Sequence, residues 1–199
     1  MDNETGWIVF ETPRLTISIA TVQDAELVHS LWTDPRVMRN VGFPNGLRVT
    51  LDDVRNDILN RVRSEFTQIL IARLKSTQEA IGQCVMHPPD EQRIAETDVK
   101  LLPVYWGHRF GIEIKQGLLD YLFTHTDCEA VQATPNVGNI ASIKMQEAVG
   151  GVKVGESVHE FPEEMQAFTT PVRHYIYRVY RQDWLVRKKD PVGMPRAAR

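Results

Sequence analysis

Residues 94–125 constrain the fold more than any other part of the chain. An apolar strand carrying Val99, Leu101 and Leu102 runs into Pro103-Val104-Tyr105-Trp106-Gly107-His108-Arg109-Phe110-Gly111-Ile112-Glu113-Ile114. A helix runs out of it, with Ile114, Leu118 and Leu122 at steps of four, flanked by Leu119 and Phe123. A strand that turns straight into a helix belongs to a β-α-β unit with a right-handed parallel crossover. The start of such a helix leaves backbone N–H groups unpaired at the positive end of its dipole, which suits an anion such as a pyrophosphate. Glycines at 107 and 111 let the backbone approach a phosphate closely or take positive φ. The spacing is not GxGxxG, and the GK[ST] ending of a nucleotide P-loop is missing. On spacing alone, a plain β–α connection and an anion site stand level.

The flanking segments show what this unit packs against. Thr12-Pro13-Arg14-Leu15 opens a strand over 15–20, in which Leu15, Ile17 and Ile19 alternate with polar residues. Asp24 starts a helix with Leu27, Val28, Leu31 and Trp32 at helical spacing, and Asp34-Pro35 ends it. Residues 37–48 form a turn-rich loop whose Met38, Val41 and Phe43 either cover the core or line a groove. Thr50 caps a helix over 51–64, apolar at Leu51, Val54, Ile58 and Val62. Asp52 and Asp53 sit in its first turn, and Arg61 and Arg63 in its last. Strands over 68–74 and 80–87 read as a hairpin, and Pro88-Pro89-Asp90 turns the chain into the strand over 94–102.

Beyond the central helix, a short strand over 129–133 is broken by Pro135. Asn139 is placed as the N-cap of a short helix carrying Ile140, Ile143, Ala148 and Val149, and Gly150-Gly151 stops it. A strand over 152–158, an acidic loop over 159–171 and a strand over 172–180 follow, then Asp183-Trp184 and a basic tail over 187–199. Consecutive strands in the middle imply antiparallel pairing, with one parallel crossover around Gly107.

Composition excludes several classes of partner. The 199 residues fit one domain. A net charge of −3 without a basic run in the body argues against nucleic acid and anionic membranes. No apolar run reaches a membrane span, and the polar Met1–Thr5 is not a signal peptide, so the expectation is a cytoplasmic protein. Cys84 and Cys128, without a CxxC, read as buried thiols in a reducing compartment. The histidines do not pair at ligand spacing, so no metal is expected.

These residues resemble the GNAT superfamily of acetyl-coenzyme-A-dependent N-acetyltransferases, in the branch of ribosomal-protein-alanine N-acetyltransferases. Thr12-Pro13-Arg14-Leu15 resembles that branch's opening strand. Its cofactor loop, roughly Pro-x-x-Trp-Gly-x-Gly-x-Ala-x-Glu-Ala, corresponds here to residues 103–114. Its Asn-x-x-Ser and Glu-Lys-x-Gly-Phe blocks correspond to Asn139-Ile140-Ala141-Ser142 and Glu147-Ala148-Val149-Gly150-Gly151. The terminal Asp183-Trp184 also matches. The departures are Arg109 for glycine, Gly111 for alanine, Ala148 for lysine and Gly151 for phenylalanine. A side chain at 109 crowds a pyrophosphate if that position needs positive φ; equally, a guanidinium there adds a charge-assisted hydrogen bond.

The resemblance implies an α+β fold: a mostly antiparallel six- to seven-stranded sheet with a splayed parallel pair and helices on both faces. The domain would span 10–185, with flexible termini at 1–9 and 186–199. It implies transfer of an acetyl group from acetyl-coenzyme A to a primary amine, either a protein N-terminus or a small molecule, by direct attack. Backbone amides of Gly107, His108, Arg109, Phe110, Gly111 and Ile112 would hold the pyrophosphate. Strand backbone at Leu101, Leu102 and Pro103 would pair with the pantetheine arm, and an N–H near Leu101 would face the oxyanion. Asn139 would add a side-chain hydrogen bond or serve only as a helix cap, and Ser142 would protonate the leaving thiolate or be only a first-turn serine.

An amine of pKa near ~10 must lose a proton before it attacks. Glu96 and Asp98 share a strand face and are the candidate bases, or else a solvated pair; Glu113 is a weaker candidate. The acceptor groove would come from 37–48, 51–64 and 159–171. Relatives often form dimers, so a homodimer is among the implied states. The alternative of another class is an acyl-coenzyme-A sensor that keeps the fold without turnover.

Overall fold

The computed structural model describes residues 6–61 and 64–189. Eight strands form one sheet: β1 Ile8–Glu11, β2 Leu15–Ile19, β3 Leu70–Leu74, β4 Ala80–Met86, β5 Ile94–Leu101, β6 Ala130–Ala133, β7 Val152–His159 and β8 Val172–Tyr180. Their spatial order is β1-β2-β3-β4-β5-β6-β8-β7. Every pairing is antiparallel except β5 with β6. That parallel pair spans the crossover helix, as the strand-turn-helix pattern requires.

The sheet has more strands than expected because β1 pairs with β2 ahead of the predicted domain start, with Ile8 opposite Ser18. The helices are α1 Ala25–Thr33, α2 Pro35–Met38, α3 Leu51–Asn60, α4 Phe110–His125, α5 Ile140–Ala148 and α6 Arg181–Lys189. The last was not anticipated from a basic tail. Two side chains dock its first turn onto α4 and the residues that follow it. Trp184 Nε1 donates to Asp120 Oδ1 at 2.8 Å. The Arg181 guanidinium reaches the carbonyls of Phe123, Thr126 and Cys128 at 2.6–2.7 Å. A cation at carbonyls near a helix C-terminus answers both the unpaired acceptors and the dipole.

Helix α3 begins where Thr50 predicts, with Thr50 Oγ1 accepting from Asp53 N and the Asp53 carboxylate accepting from Thr50 N. It ends at Asn60, short of the expected 64, and the predicted positions Val62 and Arg63 lie outside the described residues.

Alternation on the strands builds two cores. Leu70 and Ala72 of β3 join Leu15, Ile17, Cys84, Met86 and Ala95 against Ile114, Leu118, Leu119 and Leu122 of α4. Ile69 and Ile71, pointing the other way, join Ala25 and Val28 of α1 and Val54 of α3. Each such buried aliphatic side chain contributes roughly 1.5–3 kcal/mol. Cys84 and Cys128 are both buried and unpaired, as expected.

Candidate active site

The sheet opens where β5 and β6 part. Their register runs Ile94↔Ala130, Ala95↔Val131, Glu96↔Gln132 and stops there, while β5 stays paired with β4 as far as Leu101↔Gly82. Two bonds set which edge each β5 residue serves: His87 N donates to Glu96 O at 2.8 Å, and Leu102 N donates to Ile81 O at 3.0 Å. The even-numbered residues from 96 to 102 therefore turn their backbone groups to β4. Thr97, Val99 and Leu101 turn theirs toward the side that β6 leaves. One acceptor on that edge is occupied, since Trp106 Nε1 donates to Leu101 O at 2.9 Å.

The expectation that backbone pairing runs through Leu102 and Pro103 needs correcting. Leu102 N–H is held by Ile81, and Pro103 opens a short 3₁₀ turn, Pro103–Tyr105. The open-edge groups belong to Val99 and to the N–H of Leu101.

At the end of this edge α4 starts as the glycine spacing predicts. Among the described residues, the backbone amides of 107–112 find no acceptor within the protein, and the first paired amide is Glu113 N, to Arg109 O at 3.2 Å. Gly107 has φ +82° and Arg109 has φ +65°. The position that holds glycine in the resembled family thus does require positive φ here, and an arginine takes it. Arg109 is exposed, as are Gly107 and His108, whereas Phe110 is buried. Gly111 answers a different need. A Cβ there would lie 3.2 Å from Met145 Sδ, so the thioether of α5 fills the space of the family's alanine.

Glu113 is not poised as a base. Its Oε1 accepts from Thr12 Oγ1 at 2.6 Å and from Arg14 N at 2.8 Å, and its Oε2 accepts from Arg14 Nε at 2.6 Å. Burial pushes its carboxyl up, but the bonds from Thr12 and Arg14 outweigh this and hold it below the ordinary range. Arg14 also donates to His108 O at 3.3 Å and lies 4.2 Å over the Phe110 ring. Thr12-Pro13-Arg14-Leu15 therefore braces the turn that starts α4, a role the sequence reading did not assign. The signal for it was the pairing of that motif with the glutamate of the loop motif.

Glu96 and Asp98 do share a face, the one opposite α4, and they differ in environment. Glu96 Oε1 accepts from Gln132 Nε2 at 2.7 Å across the last parallel pair, and Gln132 Oε1 accepts from Arg178 at 3.0 Å. Asp98 is ion-paired with Lys100. Desolvation raises its carboxyl, though its side chain is half exposed, and the ammoniums of Lys100 and then Lys115 pull it the other way, so the balance is below the ordinary value. Asn139 caps α5, its Oδ1 accepting from Ser142 N at 3.2 Å. Ser142 lies three residues before Met145, the residue of α5 that meets Gly111, and so on the same side of that helix.

On the α1 face lies a cleft of about 480 Å³ lined by Ser30, Asp34, Arg36, Leu102, Pro103 and Val104. The Arg36 side chain bonds Asp34 and holds its carboxyl below the usual range. Two of the three expected groove segments do meet: Thr170 N donates to Gly42 O at 2.9 Å, and the Phe43 and Phe161 rings are 5.3 Å apart. The third, α3, packs on α1 instead. The contribution of α1 and α2 to the cleft was not foreseen.

Comparison with known proteins is consistent throughout. The acetyltransferase (GNAT) domain family matches residues 14–152. A Bacillus licheniformis protein named uncharacterized N-acetyltransferase p20 is 28% identical over 149 residues, 72% of this chain and 82% of its own. The crystal structure of an acetyltransferase (GNAT family) from Bacillus anthracis has TM-score 0.73 at 22% identity, covering 86% of this chain and 98% of its own. Spermidine N-acetyltransferase from Vibrio cholerae, in complex with CoA and spermine, has TM-score 0.70 at 19% identity, with the same coverage of 86% and 98%. Strand order, open edge and family match agree: this chain belongs to the GNAT acetyltransferase family.

Proposed function

We propose that the protein transfers the acetyl group of acetyl-coenzyme A to a primary amine by direct attack. The observation that carries this reading is the run of unpaired amides over 107–112, set at the end of an open strand edge. A coenzyme pyrophosphate fits the first feature, with Arg109 adding a cation beside it. The pantetheine amides fit the open edge at Val99 and Leu101.

In this reading Glu96 removes the proton from the amine. Asp98 is the poorer base because Lys100 neutralises it. As the amine nitrogen bonds to the thioester carbon, Leu101 N–H faces the developing oxyanion. The C–S bond then breaks; the leaving sulfur takes a proton from the Ser142 hydroxyl, that hydroxyl is restored by the proton the nitrogen sheds as the amide forms, and Glu96 passes its own proton to solvent. Asn139 keeps its amide hydrogens free for the coenzyme while its oxygen caps α5. The acceptor enters by the cleft between α1, α2 and the turn after β5.

The Vibrio cholerae neighbour, a spermidine N-acetyltransferase, and the resemblance to ribosomal-protein-alanine enzymes give two acceptor classes to compare, polyamines and protein N-termini. Among the described residues no helix is long and apolar enough to cross a membrane; a cytoplasmic location belongs to the same proposal. One domain with its ends near residues 10 and 185, acting alone or as a homodimer, belongs to the same proposal.

Thermal-shift titration with acetyl-coenzyme A, then thiol release over a panel of polyamines, amino sugars, amino acids and N-terminal peptides, tests this. A thermal shift with thiol release on one amine class supports it, and no shift at millimolar coenzyme defeats it. One observation favours a second reading, an acyl-coenzyme-A sensor: both candidate carboxylates are engaged, Glu96 by Gln132 and Asp98 by Lys100. A shift without thiol release on any amine selects the sensor.

A further inference from the structure

Lys115 has no part in the chemistry above, yet it is buried between α4 and β5, the strand that borders the opening. It stands on the face of α4 that carries Leu118, Leu119 and Leu122, and it is 1% exposed. Its Nζ donates to Thr97 Oγ1. No ion pair to Lys115 is found among the described residues, and the one charge that acts on it appreciably is Asp98. An ammonium carries three donors, so a single hydroxyl leaves it under-partnered, and a buried charge in that state is costly.

Its position adds a second observation. Thr97 directly follows Glu96, the last residue of β5 paired with β6, and Thr97 turns its backbone to the open edge. Lys115 is five residues, about 7.5 Å of helix rise, from Phe110 at the anion-binding start of α4.

We propose that Lys115 is a positioning residue for the coenzyme: it takes up a proton as the polyanionic coenzyme settles on the start of α4, and the ammonium so formed grips Thr97 and sets the open edge of β5. This rests on the coenzyme-binding reading given above. Anions at the helix start favour the charged form of a buried amine nearby. Without them, burial holds Lys115 down at about 7, so at neutral pH its proton is only partly present.

Several titratable groups around α4 are already engaged, while the His108 ring at its start stacks on Phe110 with centroids 6.0 Å apart. Asp98 is shared with Lys100, and Glu113 binds Arg14. On elements packed against α4, Glu11 of β1 pairs with Lys75, and Glu147 of α5 accepts from Tyr177. The Cys84 thiol of β4 is pushed up by burial and stays protonated.

Proton uptake makes binding weaken as pH rises. Above pH ~7, coenzyme A affinity falls by up to about tenfold per pH unit, until the pH passes the value of Lys115 in the complex. Calorimetric titration with coenzyme A at pH 8, in two buffers of different ionisation enthalpy, reads the uptake directly. The result expected is approaching about one proton taken up per coenzyme bound. Lys115→Met should bind with no uptake and a flat affinity between pH 7 and 9, and Thr97→Ser, which keeps the hydroxyl, should retain the wild-type behaviour. Uptake that persists in Lys115→Met overturns the proposal, as does wild-type binding without uptake. The wild-type measurement decides by itself if the methionine variant does not fold. Failure of wild type to bind coenzyme A at all defeats the acetyltransfer reading instead.

Discussion

Arg109 combines two effects that substitution separates. Its φ of +65° places an L-residue in the left-handed region at the first position before α4. That conformation costs about 1–2 kcal/mol for a residue with a Cβ. Glycine escapes the cost but loses about 0.5–1 kcal/mol in backbone entropy on folding. The difference predicts that Arg109→Gly stabilises the ligand-free protein by about 0.5–1 kcal/mol, or roughly 1–4 °C in Tm for a chain of this size. Arg109→Ala keeps the strain and removes an exposed side chain that makes no hydrogen bond or ion pair among the described residues. Its stability should stay within about 0.5 kcal/mol of wild type.

Coenzyme binding separates the variants from wild type instead. A guanidinium beside phosphates supplies a charge-assisted hydrogen bond, worth about 1–2 kcal/mol at an exposed site, so both variants should bind coenzyme A roughly 5- to 30-fold more weakly. The loss should shrink as salt rises. Urea denaturation without ligand and calorimetric titration at two salt concentrations measure the two effects. If Arg109→Gly is no more stable than Arg109→Ala, the backbone argument is wrong. If neither variant loses affinity, the guanidinium does not reach the phosphates.

Three further outcomes are expected. Glu113→Ala should destabilise the protein by about 2–3 kcal/mol, because it leaves Thr12, the Arg14 amide and the Arg14 guanidinium without their acceptor. Since the Glu113 carboxyl titrates below its ordinary 4.5, its contribution is complete above that pH and is lost as pH falls through the lower folded value. Glu113→Gln should accordingly flatten the acid limb in pH-dependent denaturation. Lys115→Met should stabilise the ligand-free protein at pH 7 by on the order of 3 kcal/mol, since it removes a buried amine. Folding lowers Lys115 from 10.5 to about 7, so wild-type stability should climb between those pH values and the methionine variant should not share the climb. Glu96→Gln should reduce kcat at neutral pH by about 100-fold or more, and Asp98→Asn by less than about tenfold. Full activity in both variants would remove the carboxylate from the mechanism.

The comparison of sequence with structure divides by the range of the forces involved. Helices α4 and α5 were legible because an apolar repeat, an N-cap at Asn139 and a glycine stop are local signals. The turn before α4 was legible from the glycine at 107, which takes positive φ as its residue type suggests. Strand β1 was hidden because its four residues gain their structure by pairing with β2, and α6 because its anchors, Asp120 and the carbonyls of Phe123, Thr126 and Cys128, are far away in sequence. A lysine within an apolar stripe was a visible signal at Lys115, but nothing local says that its partner is Thr97.

By itself the sequence determined the order of the longer elements from β2 to β8, the single parallel crossover and the glycine turn at the start of α4, because periodicity, capping and turn preference act within a few residues. Only the tertiary structure decided that β5 and β6 part after Glu96, that Glu113 is a brace and not a base, and that Asp98 is neutralised by Lys100. Those facts depend on where a pairing stops and on which charges meet across elements. Chain neighbours do not encode either one.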